Sequence, residues 1–100
     1  MSRRRHVAFE FRLYVAGVTR NSELARGNLA ALCTILPPDQ YTIEVVDVLA
    51  EPGRALEDGI FMTPTLVRLW PRPHQKVVGT LGRTSELIHI LGIQHLAVSV

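Results

Sequence analysis

The fold of this chain is decided by residues 7–22, which read VAFEFRLYVAGVTRNS. Within Val7–Ala16, apolar residues occupy every second position, and Glu10, Arg12 and Tyr14 stand at intervening positions. Side chains of a β-strand point alternately to the two faces of a sheet. The pattern therefore predicts a strand over Val7–Ala16 with one strongly buried face.

A turn and a helix follow this strand. Gly17 interrupts the alternation, and Asn21 or Ser22 is expected to accept hydrogen bonds from the free backbone N–H groups at the helix start. Apolar residues then recur at helical spacing, namely Ala25, Leu29, Leu32, Cys33 and Leu36. This spacing predicts an amphipathic helix of about four turns. Pro37-Pro38 end it, because proline lacks the N–H donor that a helix interior needs.

A second strand is predicted over Tyr41–Leu49. Its nearly continuous apolar residues indicate burial on both faces, as in the middle of a sheet that helices flank. Pro52 is expected to open a short helix that runs to about Asp58, since proline is favoured at the first helical position. Gly59 ends this helix.

Two more strands and a last helix complete the pattern. Thr65–Trp70 is predicted to form a third strand, and Gln75–Gly79 a fourth that returns after a proline-rich turn. Ser85 is expected to cap a last helix that closes near Gly92. The order β-α-β-α-β-β-α, with a β-α-β unit before a β-β-α unit, indicates an α/β protein of thioredoxin-like layout.

The length and composition of the chain limit its organisation and its partners. One hundred residues with a net charge of +2 fit a single domain, residues 1–100. Residues 1–6 are expected to form a basic flexible tail, and no defined structure is predicted for the apolar tail 93–100. We expect a cytoplasmic protein that acts on no membrane, because no apolar run approaches the roughly 18 residues of a span and no signal-peptide core is present. Nucleic-acid binding is not expected, because aromatic residues, 6% of the chain, do not interleave with basic ones.

The chain offers few residues for chemistry. Cys33 is the single cysteine, which excludes an intramolecular disulfide, a C-x-x-C redox pair and a cysteine-rich zinc site. Its place on the apolar stripe of the first helix predicts a buried structural role. Asp47 and Asp58 are expected to be solvated or to cap backbone groups, since no ligand set or triad lies close to them in sequence. We expect no catalytic residue, no metal and no cofactor.

Thioredoxin-like enzymes carry their attacking thiol directly after the first strand. Val18–Ser22 occupy that point in this chain, and a hydroxyl or amide cannot perform thiol–disulfide exchange. Thr63-Pro64 precedes the third strand, where the fold usually has a cis proline; the alternative is a strand-start proline that lacks a ladder donor. The chain is therefore predicted not to be an enzyme, and a thioredoxin-like enzyme without a C-x-x-C pair is the alternative.

Several motifs lie in register with those of one known family. The longest is Leu13-Tyr14-Val15-Ala16-Gly17, followed by Thr19, Asn21 and Ser22. Further matches are Val46–Leu49 with Pro52, Asp58 with Ile60, Thr63–Leu66, and Val78-Gly79 with Leu81. Each motif alone is weak, but together they keep the family's spacing from about Phe11 to Leu91. The chain thus resembles the KaiB family.

This resemblance implies a protein-binding role instead of an enzymatic one. KaiB-like proteins bind the ring-shaped ATPase KaiC, sequester KaiA, and compete with the thioredoxin-like sensor domain of a histidine kinase. The family switches between a tetrameric ground-state fold and a monomeric thioredoxin-like state that binds KaiC. The element order predicted above matches the thioredoxin-like state, and the ground-state fold of the same chain is the alternative.

The resemblance also implies roles for individual residues. Those expected to define the fold are Gly17, Asp47, Thr63, Pro64, Thr65, Gly79 and Ile90. Those expected to contact partners, together with the second strand, are Thr19, Arg20, Asn21, Ser22 and Lys76.

The chain departs from the clock proteins of the family at several positions. Arg20 stands where they usually have proline, and their acidic C-terminal tail is replaced by apolar residues. These changes indicate a divergent paralogue, so a stress or signalling adaptor outside a clock is a further alternative.

Two differences from the clock proteins lie in the last helix. Ile90 stands where they have a glycine, and Gly92 stands where they often have an aspartate. Because glycine destabilises a helix interior by about 0.5–1 kcal/mol, its loss favours the helical last segment, and we expect a thioredoxin-like monomer.

Overall fold

The computed structural model describes residues 7–93, and within that range the chain forms four β-strands, three α-helices and one short 3₁₀ helix. In chain order these are β1 (Phe9–Val15), α1 (Arg20–Cys33), the 3₁₀ helix (Pro38–Gln40), β2 (Tyr41–Asp47), α2 (Pro52–Glu57), β3 (Thr65–Trp70), β4 (Gln75–Val78) and α3 (Thr84–Ile90). The predicted order of the seven main elements is confirmed. Three of the four predicted strands are one to three residues too long, and the third has the predicted bounds.

The sheet has the order β2-β1-β3-β4, with β1 parallel to β2 and antiparallel to β3. The prediction that the second strand lies in the middle of the sheet is wrong, because β2 is an edge strand. Its Ile43 and Val45 are exposed, and Val46 alone within it is fully buried. Branched apolar residues favour a strand at the edge as well as in the centre. The central place belongs to β1, which pairs with both β2 and β3.

The larger core lies between one face of the sheet and helices α1 and α3. The predicted apolar positions of the first strand, Phe9, Phe11, Leu13 and Val15, are buried there. From the helices and the turns beside them come Ala25, Leu29, Leu32, Cys33, Leu36, Leu87, Leu91 and Ile93. Burial of a leucine, isoleucine, valine or phenylalanine side chain stabilises a fold by about 1.5–3 kcal/mol. We call this side of the sheet the α1/α3 face.

The opposite side of the sheet, which we call the α2 face, carries a smaller core. Tyr14 is fully buried there, against Val46, Val67, Ala55 and Ile60. The expectation of a single strongly buried face on β1 is therefore wrong at its carboxyl end. The cause is α2, whose Ala55 and following Ile60 cover that end of the sheet.

The helix starts differ from the predicted ones. Thr19, and not Asn21 or Ser22, caps α1: its Oγ1 accepts a hydrogen bond from the backbone N of Ser22 at 3.2 Å. Helix α3 begins at Thr84 without any side-chain cap, and the predicted cap Ser85 lies inside its first turn.

Residues 1–6 and 94–100 lie outside the described part of the chain, so the predictions made for the two tails are not tested there. Ile93, the first residue of the predicted apolar tail, is described and is fully buried. No helix within residues 7–93 has the length and hydrophobicity to cross a membrane.

Candidate partner-binding surface

Three loops converge at the carboxyl end of β1. Because β1 and β2 are parallel, the loops that leave them lie at the same edge of the sheet, and β3, antiparallel to β1, begins there. We define the carboxyl-edge surface as Gly17–Asn21, Leu49 and Phe61–Thr63. It contains most of the turn between β1 and α1 with the first two residues of α1, one residue of the loop after β2, and the segment that leads into β3.

Asp47 holds two of these loops together. Its Oδ1 accepts hydrogen bonds from the backbone N of Gly17 at 3.0 Å and of Leu49 at 2.9 Å. Gly17 has a φ of +61°, which favours glycine, and a Cβ at this position would lie 3.3 Å from Leu49 Cδ1. The predicted capping role of Asp47 is confirmed, and both residues serve the shape of the loops.

The predicted contact residues at the start of α1 divide into two kinds. Thr19, Arg20 and Asn21 are exposed. Ser22 is fully buried, and its Oγ accepts a hydrogen bond from the backbone N of Ala16 at 3.2 Å. Ser22 therefore fixes the end of β1 to the first turn of α1, and a partner can reach only the other three side chains.

Apolar side chains dominate the exposed part of this surface. Val18 is 88% exposed, Phe61 87%, Leu49 72% and Met62 63%. Water-facing apolar groups gathered at one edge are typical of protein-binding sites. Of these four residues, only Leu49 lies in an element that was predicted to contact partners, the second strand. A signal for two others was present in Phe61-Met62, two large apolar residues in a loop directly before Thr63-Pro64.

The segment before β3 is fixed by backbone hydrogen bonds. The Thr63-Pro64 bond is cis, as predicted, and Pro64 is buried. Pro64 O accepts from the backbone N of Gly79 at 2.9 Å, and Thr65 Oγ1 donates to Met62 O at 2.6 Å. The cavity beside this segment has a volume of about 160 Å³, whereas small-molecule pockets usually measure about 300–1,000 Å³. The site is thus an exposed surface on a fixed backbone, and the neighbouring cavity is small.

The other predicted contact elements lie elsewhere. Lys76 is on β4, with its side chain on the α2 face, where its Nζ donates to Gly59 O at 3.4 Å. Strand β4 is the outer strand on one side of the sheet, and β2 is the outer strand on the other side. The structure therefore brings Thr19, Arg20 and Asn21 together with the apolar loops, but places Lys76 and β2 apart from one another.

An ionic network links α2 to the sheet below this surface. Tyr14 OH donates to Asp58, and Arg12 Nη1 donates to Asp58 Oδ2 at 3.0 Å. Arg12 Nε and Arg54 Nη1 lie 2.9 and 2.8 Å from the carboxylate of Glu44. Asp58, which directly follows α2, is thus both its C-cap residue and a member of this network.

These contacts shift the pKa values of the groups concerned. Hydrogen bonds from Tyr14 and then Arg12 hold the pKa of Asp58 below its usual value. Burial, followed by the hydrogen bond to Asp58, raises the pKa of Tyr14. Hydrogen bonds from Arg54 and Arg12 lower the pKa of Glu44 to about 2. The network therefore consists of ionised carboxylates and a neutral phenol at neutral pH.

The single thiol lies far from this surface. Cys33 is the last residue of α1, and burial raises its pKa to about 11, so the unreactive thiol form dominates at neutral pH. The distance from Arg20 to Cys33 along the helix axis is about 20 Å at 1.5 Å per residue. The predicted buried structural role of Cys33 is confirmed. Within residues 7–93, no three His, Cys, Asp or Glu side chains are grouped to hold a metal ion.

Comparison with known proteins gives a consistent result. Residues 12–93 match the model of the KaiB domain. The chain is 38% identical over 77 residues to the circadian clock protein KaiB3 of Synechocystis sp., which covers 77% of this chain and 76% of the relative. It is 40% identical over 83 residues to the circadian clock oscillator protein KaiB of Gloeothece citriformis, with 80% and 76% covered.

Among solved structures, the fold is similar to the N-terminal domain of Synechococcus elongatus SasA and to thioredoxins. The SasA domain has a TM-score of 0.66 at 16% identity, with 94% of this chain and 91% of that chain covered. Mitochondrial thioredoxin 3 of Saccharomyces cerevisiae has a TM-score of 0.69 at 20% identity, with 90% and 80% covered. The predicted thioredoxin-like fold is therefore confirmed.

Proposed function

The chain belongs to the KaiB family of circadian clock proteins, and we propose that it is a non-enzymatic adaptor that docks on a KaiC-like ring ATPase through the carboxyl-edge surface. In this proposal it acts as a single-domain monomer in the thioredoxin-like state, in the cytoplasm. The observation that carries the proposal is the exposure of Val18, Leu49, Phe61 and Met62 on one edge of the sheet.

These apolar side chains are the main source of affinity in this proposal. Apolar surface that faces water in the free protein releases free energy when a partner covers it, at about 25 cal/mol per Å². The supporting backbone is already fixed by the hydrogen bonds of Asp47 and Pro64. A preorganised surface loses little conformational entropy on binding, so more of the contact energy appears as affinity.

The same edge argues for an adaptor instead of a redox enzyme. Thr19, Arg20 and Asn21 occupy the place of an attacking thiol, and Cys33 is buried at the other end of α1. A hydroxyl, a guanidinium and an amide can accept or donate hydrogen bonds to a partner but cannot exchange disulfides.

Two further partners follow from family membership. We propose that the complex of this chain with the ATPase sequesters KaiA, and that the chain competes with the thioredoxin-like sensor domain of a histidine kinase for the ATPase. The fold that the chain shares with the SasA N-terminal domain supports competition by shape, since two domains of one fold can present similar surfaces to one binding site. Fold switching to a tetrameric ground state belongs to the same proposal.

The main test is binding of Phe61→Ser to a purified KaiC-like ring ATPase, in ATP and in ADP. We expect a loss of about tenfold or more in affinity, because a central aromatic contact typically contributes more than about 1 kcal/mol. Ile35→Ser is the matched control: Ile35 is also an exposed apolar residue, but it follows the far end of α1. Equal binding by Phe61→Ser and the unmodified chain would contradict the proposed surface.

Charge reversal gives a second measurement on the same complex. Arg20→Glu and Lys76→Glu are expected to slow association a few-fold at low ionic strength, because exposed charges mainly steer encounter. The effect should shrink as salt is added, since screening acts within about 10 Å at 0.1 M. Unchanged association rates for both variants at low salt would show that neither charge steers the encounter with the ATPase.

A further inference from the structure

A second, larger cavity opens at the amino end of β1, away from the carboxyl-edge surface. It has a volume of about 440 Å³, within the range of small-molecule sites. Its walls are mainly apolar, formed by Ala8, Phe9, Pro71 and Leu91, and two arginines border it, Arg68 and Arg72. No acidic side chain is among the described residues that line it.

Arg68 is the unusual member of this cavity. It is only 7% exposed although it carries a full positive charge. Its Nη1 donates to Leu91 O at 2.9 Å and its Nη2 to Pro73 O at 2.7 Å, while its buried Nε has no acceptor among the described residues. Within residues 7–93 no carboxylate lies within ion-pair distance of it. Among the described residues this buried guanidinium thus meets two neutral carbonyl groups, which leave it an unused donor and an uncompensated charge.

We propose that this cavity binds a small organic carboxylate with an apolar body, its carboxylate at Arg68. The guanidinium supplies the charge and the free donor capacity that a carboxylate needs. Arg72, exposed beside the cavity, adds a second positive charge. The rest of the ligand can contact the apolar side chains of Phe9, Pro71 and Leu91. These contacts favour an organic carboxylate over an inorganic anion, which has no apolar part.

The position of Arg68 connects this site to the last helix. Arg68 donates to Leu91 O, directly after α3, and a Cβ on Gly92 would lie 3.5 Å from its Nη1. A carboxylate bound to Arg68 would therefore lie beside the end of α3. The site uses none of the residues of the carboxyl-edge surface and does not depend on the proposed adaptor function.

The experiment uses octanoate as the probe, titrated into the ¹⁵N-labelled chain. We expect saturable shifts of the backbone signals of Phe9, Leu91 and Gly92 and of the Arg68 Nε–H signal. Two control compounds separate the contributions: octanol has the same apolar body without the charge, and inorganic phosphate has charge without the apolar body. Each should bind with an affinity at least about tenfold lower than that of octanoate. No saturable shift with octanoate up to about 10 mM would overturn the proposal. Equal binding of octanol or of phosphate would overturn the assigned ligand class.

Three variants locate the site. Arg68→Met removes the charge and retains the apolar stem, and should reduce octanoate affinity about tenfold or more. Because this variant also loses the hydrogen bond to Leu91 O, Ala8→Leu provides an independent block that fills the cavity and leaves Arg68 in place. Arg26→Met, at an exposed position on α1, is the matched control and should bind octanoate normally. Unchanged octanoate affinity in both Arg68→Met and Ala8→Leu would contradict binding at this cavity. Phe61→Ser, a change on the carboxyl-edge surface, should leave octanoate binding intact.

Discussion

On the α1/α3 face of the sheet, the described core consists of apolar side chains that run from Phe9 to Ile93 and come from strands, helices and turns. On the α2 face, a small apolar cluster around Tyr14 lies beside a network of ionised side chains. The first face is therefore stabilised by packing, which depends little on pH. The second depends on charges and on a six-residue helix that could not persist alone in water.

This difference matters for the carboxyl-edge surface. Gly59–Thr63 directly follow Asp58, the carboxylate that Tyr14 and Arg12 hold at the end of α2. The loop that carries Phe61 and Met62 is thus attached to the less strongly packed face. We infer that the network on this face sets the position of Phe61 and Met62, while the α1/α3 face supplies most of the free energy of unfolding.

The largest expected effect comes from truncation on the α1/α3 face. Leu13 is fully buried in the middle of β1, and Leu13→Ala should lower the free energy of unfolding by about 2–5 kcal/mol, from lost burial and the cavity left behind. Urea unfolding followed by circular dichroism measures the change. Ile35→Ala, at an exposed site, should change it by less than about 0.5 kcal/mol. Similar losses for the two variants would mean that this face is not the main core.

An intermediate effect is expected on the α2 face. Tyr14→Phe removes the hydroxyl that donates to Asp58 and should lower the free energy of unfolding by about 1–2 kcal/mol, since the acceptor is charged. The pKa of Asp58 should rise at the same time, because the hydrogen bond from Tyr14 is the main cause of its depression. Urea unfolding and an NMR titration of the carboxyl group measure these two changes. Tyr41→Phe is the matched control, since the Tyr41 hydroxyl has no hydrogen bond within the described chain, and an equal cost for both variants would rule out the Asp58 contact as the cause.

The smallest effect concerns pH. The folded-state pKa of Glu44 is about 2 against an ordinary 4.5, so its ion pairs stabilise the fold above about pH 4.5 and this contribution is lost as pH falls towards 2. Because nearly half of the Glu44 side chain is exposed, we expect less than about 1 kcal/mol. Glu44→Gln should therefore be less stable than the unmodified chain at neutral pH, and the difference should shrink below about pH 4.

Glu57→Gln is the control for this measurement, because Glu57 is exposed and has no ion pair with the described residues. Urea midpoints taken at several pH values give the comparison. A difference between Glu44→Gln and the unmodified chain that stays constant down to about pH 2.5 would contradict the assigned pKa shift.

The local parts of the fold could be predicted from the sequence. Thr65–Trp70 has a strand pattern bounded by proline on both sides, and the structure has a strand with the same bounds. The apolar stripe of α1 and the cis Thr63-Pro64 bond were also predicted correctly. In these cases the deciding information lies within a few neighbouring residues, or in the place of one proline in a known layout.

The incorrect predictions depend on residues that are distant in sequence. The apolar run of β2 does not reveal that, within the described residues, β1 is its only neighbour, which leaves β2 at the edge of the sheet. Tyr14 and Asp58 are far apart in the chain, so the burial of one and the partner of the other appear only in three dimensions. At the start of α1, Thr19, Asn21 and Ser22 are all good caps; the hydroxyl of Ser22 is used instead by Ala16, which leaves Thr19 as the cap. The exposed loops at the carboxyl edge carry no periodic pattern at all, so the site was predicted only in part.

During synthesis the chain emerges from the ribosome with its N-terminus first, so β1, α1 and β2 are available before β3 exists. In the finished sheet β3 covers the second edge of β1, with Glu10 paired to Trp70 and Tyr14 to Thr65. Until Trp70 has been made, that edge of β1 presents unpaired N–H and C=O groups, which can pair with strands of other nascent chains. The central place of β1 therefore makes the interval between the synthesis of β2 and that of β3 the stage at which this protein most needs protection from aggregation.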